Sequence, residues 1–84
     1  MNELEELFSK QEPIESITSN KEILSGKPII KDTRISVALI LGLLADEMTI
    51  DEILEQYPRL TRKNIIDSLR YAEQILNKPI KLHQ

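Results

Sequence analysis

The chain has no cysteine among its 84 residues, so no disulfide staples it and no thiolate can hold a metal. That absence fits a reducing compartment, and a cytoplasmic location is the expectation. Histidine occurs once, at His83, next to the last residue, and no second histidine is present to complete a metal site. Glycine occurs only twice, at Gly26 and Gly42. A phosphate-cradling P-loop needs more, and its lysine opens a helix, whereas Gly26-Lys27 runs straight into Pro28. Long apolar runs are also missing. The longest, VALILGLLA over residues 37–45, is nine residues, far short of the ~20 that span a bilayer. The opening MNELEELFSK has neither the basic start nor the apolar stretch of a leader peptide. The expectations are no catalytic residue, no metal, no cofactor and no membrane partner.

What is present is a small chain, one that buries roughly 60–65% of its unfolded surface on folding. Small unstapled domains commonly borrow core from a partner, so oligomerisation or complex formation is expected. The net charge of −3 is unevenly spread. Over residues 1–25, Glu3, Glu5, Glu6, Glu12, Glu15 and Glu22 outnumber Lys10 and Lys21 (net −4). Residues 26–43 carry Lys27, Lys31 and Arg34 against Asp32 (net +2). Residues 44–58 carry Asp46, Glu47, Asp51, Glu52 and Glu55 with no cation (net −5). Residues 59–70 carry Arg59, Arg62, Lys63 and Arg70 against Asp67 (net +3). Two basic segments flank an acidic one, and local sign matters more than the total for meeting a polyanion.

The pattern divides the chain into an N-terminal arm or short helix (1–13), a folded domain (14–77) and a tail (78–84) broken by Pro79. In the arm, Leu4, Leu7 and Phe8 are spaced for one helical face among acids and form a candidate partner-binding strip. "IESIT", residues 14–18, alternates apolar and polar as a half-buried strand does. In "SGKPIIKDTRISV", residues 25–37, Lys31-Asp32-Thr33 reads as a tight turn between β-branched pairs, making a small hairpin that delivers Ser36 as a helix cap. The helix that follows is apolar on nearly every side and is expected to be the buried central one.

Thr49-Ile50-Asp51-Glu52 is a capping box opening a second helix that buries Ile50, Ile53 and Leu54 and stops at Pro58. The carboxylates gathered here suit a helix first turn and a solvent face rather than acid–base chemistry. Thr61 caps a third helix to about Leu76, with an expected apolar stripe of Ile65, Leu69, Ala72 and Leu76 and Ile66 at its edge. Short connections and a basic last helix suit a mainly α, tri-helical helix-turn-helix (winged-helix-like) domain preceded by a small β-hairpin element.

On the third helix Lys63, Asp67, Arg70 and Gln74 share one strip, flanked by Arg62, with Arg59 in the preceding turn. With the hydroxyl of Thr61 and the amide of Asn64, these are group types that meet phosphates and base edges. Lys31 and Arg34 are further candidates for contacting a DNA backbone as a wing would. The same strip also reads as a self-satisfied solvent face, with Asp67 spaced to pair with Lys63 and Arg70.

The run from residue 23 to 76 resembles domain-of-unknown-function family 433. The resemblance is carried by Gly26-Lys27-Pro28, the turn Lys31 to Ile35, the leucine-rich helix, Ile50 to Leu54, the "YPRLT" turn at 57–61 and Tyr71-Ala72. It implies a helix-turn-helix-like fold. It also implies a role as antitoxin beside a small PIN-like ribonuclease toxin, in the manner of VapB-type antitoxins, with binding to operator DNA and masking of the nuclease. A homodimer is expected, since such proteins read paired half-sites. The alternative is a protein–protein interaction module without DNA binding, working through the acidic arm and patch. Three departures from the family pattern stand out. Asp32 replaces the turn glycine; Glu47 replaces the glycine before the second helix, so the first helix is expected to close differently. Asn64 replaces an acid, so the helix start is expected to lose its reach-back to Thr61 and become more positive.

Overall fold

The computed structural model describes residues 14–77. The arm residues Leu4, Leu7 and Phe8, and His83 in the tail, lie outside the described residues. Two short strands, β1 (Ile17–Thr18) and β2 (Ile29–Ile30), precede three helices: α1 (Val37–Ala45), α2 (Ile50–Gln56) and α3 (Arg62–Leu76). The fold is the expected helix-turn-helix domain with a β-hairpin in front of it.

β1 and β2 pair antiparallel, with Ile17 opposite Ile30. The expected Lys31–Thr33 turn lies on the other edge of β2. There Ile30 N–H donates to the Ile35 carbonyl at 2.9 Å, and Ile29 bridges to Ser36. Thr33 closes the turn, its N–H and its hydroxyl both donating to the Ile30 carbonyl, while the hydroxyl oxygen accepts from Ile35 N–H. Asp32 takes the left-handed conformation at φ 63°, which Asp tolerates better than most residues.

All three helices start where their caps are written. Ser36, Thr49 and Thr61 each accept from the backbone N–H three residues on, satisfying a donor with no partner inside the helix. Contrary to expectation, the α1 C-terminus closes as a glycine would close it. Glu47 at φ 68° donates to the Leu44 carbonyl, and Met48 N–H reaches the Leu43 carbonyl. These are the two bonds of a Schellman motif, here with a glutamate in the left-handed position. The α2–α3 connection is a β-turn with Pro58 in its second position, closed by Leu60 N–H to the Tyr57 carbonyl at 2.9 Å.

The core is built mainly of isoleucine: Ile30, Ile40, Ile53 and Ile65, with Leu60 from the turn. Two helix expectations are corrected. In α1 only Val37 and Ile40 are buried, and Leu39, Ala38 and Ala45 are exposed, because a domain of this thickness covers one side of the helix only. In α3 the buried residues are Ile65 and Ser68, while Leu69 and Leu76 face solvent and Ala72 is half-buried. The serine is fully buried at no polar cost, since its hydroxyl donates to the Asn64 carbonyl at 2.9 Å. Its small side chain sits on α3, whose main helical partner is α1.

Candidate nucleic-acid interface

The eight candidate DNA-contacting residues separate into two groups. Five belong to α3 and its cap, and each is engaged within the domain. Thr61 and Asn64 cap each other: the Thr61 hydroxyl accepts from Asn64 N–H, and the Asn64 side-chain oxygen accepts from Thr61 N–H at 2.9 Å. The expected loss of the reach-back is therefore corrected, because an amide oxygen accepts that bond as a carboxylate does and only the negative charge is missing.

Arg62 pairs with Asp51 on α2 at 2.9 Å, Lys63 with Asp67 at 2.9 Å, and Arg70 with Glu73 at 2.6 Å. Arg70 thus takes Glu73 rather than the expected Asp67. Asp67 instead turns towards the β-element, where its carboxylate accepts from the Ser16 hydroxyl as well as from Lys63. The Ser16 bond is the main cause holding the Asp67 carboxyl below the ordinary aspartate range; burial opposes it, and Lys63 adds to the lowering. The same contact with Asp67 raises the Lys63 ammonium. The strip predicted as a recognition surface is consequently neutralised along its length, with Asp67 drawn in against Ser16 just before β1. The Arg62–Asp51 and Arg70–Glu73 pairs are exposed, so each is worth at most about 1 kcal/mol and exchanges readily for another anion, whereas Asp67 is held partly buried beneath Lys63.

The second group converges. Lys31 and Arg34 flank the Asp32 turn, and Arg59 arrives from the α2–α3 turn, 27 residues away, to donate to the Asp32 carbonyl at 3.1 Å. All three cations line one cleft of about 690 Å³ together with Thr18, Asn20 and Thr33. Lys31 and Arg34 have no ion-pair partner among the described residues. The left-handed Asp32 sets the direction of the turn, and the Arg59 bond ties that turn to the helix-turn-helix. Three cations against the single carboxylate of Asp32, beside hydroxyl and amide groups, form a surface suited to a phosphodiester.

Thr18 and Asn20 are absent from the sequence-based list. Thr18 ends β1 and Asn20 lies in the polar stretch after it, and no periodicity marks either as a neighbour of residue 59. A separate apolar groove of about 400 Å³ lies between α1 and α3, lined by Val37, Leu41, Tyr71, Ile75 and Leu76. No helix among the described residues is long and apolar enough to cross a membrane.

The chain was compared with known proteins. Residues 17–72 match the family model described as "Protein of unknown function (DUF433)". A crystal structure of a DUF433 member protein from Anabaena variabilis superposes with a TM-score of 0.68 at 23% identity, covering 88% of this chain and 89% of that one. At that identity the likeness concerns the fold. No curated protein matches.

Proposed function

This chain belongs to the DUF433 family, and on that premise we propose that it is an antitoxin-like, DNA-binding protein of the cytoplasm rather than an enzyme. The observation that carries the reading is the convergence of Lys31, Arg34 and Arg59 on one cleft beside the helix-turn-helix. In this role Lys31 and Arg34, which have no ion-pair partner among the described residues, hold backbone phosphates. Arg59 braces the turn that presents them. The start of α3 then approaches the groove, with Arg62 exchanging the exposed Asp51 for phosphate and the exposed Lys63 ammonium turning from Asp67 to phosphate. The protein binds its own operator and also masks a small PIN-like ribonuclease toxin. The arm residues Leu4, Leu7 and Phe8 are the candidate grip on that toxin.

The test is binding of the full chain to a duplex from its own promoter, across a salt series. Each phosphate contact releases condensed counterion, so affinity falls linearly with log salt, and removing a contact lowers the slope by about 1. The double variant Lys31→Ala/Arg34→Ala is expected to lower the slope by about 2 and weaken binding to all sequences alike. Salt-insensitive binding, or a slope the double variant leaves unchanged, sinks the DNA role.

A second reading is favoured by one observation: Arg62, Lys63 and Arg70 all have internal acidic partners. On this reading the protein is an interaction module whose acidic patch, Asp46 to Glu55, meets a basic nuclease surface, and DNA plays no part. Co-purification with the product of a neighbouring gene, without any shift of promoter DNA, selects it.

A further inference from the structure

The outer face of α3 is unusually apolar for a solvent-facing helix. At about 100° per residue, Arg62, Ile66, Leu69, Glu73 and Leu76 fall within about 80° of one another, on the flank of α3 beside buried Ile65 and turned away from buried Ser68. Ile66 is 45% exposed, Leu69 42% and Leu76 72%. A shallow depression of about 230 Å³ lies among Ile66, Leu69, Arg70 and Glu73. The domain's own core covers these side chains only in part, which leaves a connected aliphatic strip along α3 open to a partner.

We infer that this face is the seam of a homodimer in which α3 packs antiparallel against α3 of a second copy. The argument for this occupant is self-complementarity. A two-fold interface must be built from one patch that matches itself. Placing the axis between Asp67 and Ser68 sets Ile66 opposite Leu69 of the second copy, and Leu69 opposite its Ile66. The same register sets Arg62 opposite Glu73 of the second copy, and Glu73 opposite its Arg62. An apolar centre is thereby closed at both ends by an ion pair of opposite sign. Antiparallel packing also aligns the two helix dipoles favourably.

The present partners of these two charges, Asp51 for Arg62 and Arg70 for Glu73, are exposed pairs, so exchanging them costs little. The seam lies on α3 and leaves Lys31 and Arg34 outside it. Arg62 is shared with the phosphate contacts proposed above, so the oligomeric state is read without DNA, and its outcome is independent of the Lys31 and Arg34 contacts.

Sedimentation of the full chain tests it, with circular dichroism monitoring the fold. The wild type is expected to be a dimer. Leu69→Glu, at an exposed site, is expected to keep its helical spectrum and become monomeric. Glu73→Arg places two cations at each end of the seam and is expected to weaken the dimer by about a hundredfold. The double variant Arg62→Glu/Glu73→Arg reverses both charges and is expected to recover dimerisation to within about threefold, since complementarity is restored. A wild-type monomer overturns the inference, and so does a dimer indifferent to Leu69→Glu. Failure of the double variant to recover overturns the register.

Discussion

Replacing Glu47 with glycine is expected to stabilise the domain, although it removes a side chain. Glu47 occupies the left-handed position that closes α1, at φ 68°. An L-residue there costs about 1–2 kcal/mol, because Cβ crowds the following carbonyl. Glycine removes that cost but loses more backbone freedom on folding, about 0.5–1 kcal/mol. Both closing bonds, Glu47 N–H to the Leu44 carbonyl and Met48 N–H to the Leu43 carbonyl, belong to the backbone and survive the change. The expected net gain is about 0.5–1 kcal/mol, or about 2–8 °C in Tm for a domain of this size.

Thermal and urea unfolding followed by circular dichroism would measure it. Two controls separate the causes. Glu47→Gln removes the carboxylate, which sits unfavourably at a helix C-terminus, and tests the share owed to charge alone. Glu47→Ala keeps the left-handed cost and removes the rest of the side chain. Glycine gaining no more than glutamine would refute the argument from backbone strain. The same reasoning applies more weakly to Asp32→Gly at φ 63°, since aspartate tolerates this conformation better.

Other changes follow from the same geometry. Gly42 lies within α1, exposed, with nothing within 4 Å of where a Cβ would stand, so Gly42→Ala should add about 1 kcal/mol to the urea-derived stability. Ile65→Ala empties the centre of a core in which Ile65 is fully buried, and a loss of about 2–5 kcal/mol by denaturant titration is expected. The Asp67 carboxyl is held low chiefly by the Ser16 hydroxyl, so its contribution is complete above the unfolded value of about 3.9 and disappears as pH falls through the lower folded value. Ser16→Ala should therefore remove about 1 kcal/mol at neutral pH and flatten the acid limb of a stability–pH profile. An acid limb identical to that of the wild type would contradict the assignment.

Much of this protein was legible before any tertiary contact was known. Ser36, Thr49 and Thr61 mark the helix starts, and Pro58 the turn between the last two helices, because caps and turns are settled by groups within about four residues of one another. The hairpin turn at Asp32 was legible for the same reason. Which side of a helix is buried is a different kind of question. The spacing of apolar residues in α3 admits two stripes, and sequence reasoning chose Leu69 and Leu76 where packing chose Ser68. Only the seating of α3 on the hairpin and α1 decides between them, and a serine bonded to its own helix passes as core where no hydropathy pattern would put it.

Charge pairing was undecided in the same way. Asp67 had two cations within helical reach, and Ser16, 51 residues away, drew it towards β1. The sequence by itself determined the elements, their order and their ends, since these depend on local bonding. The tertiary structure alone decided which cations are neutralised. It also gathered Lys31, Arg34 and Arg59 into one cleft, because segments far apart in the chain become neighbours only when the core between them has packed.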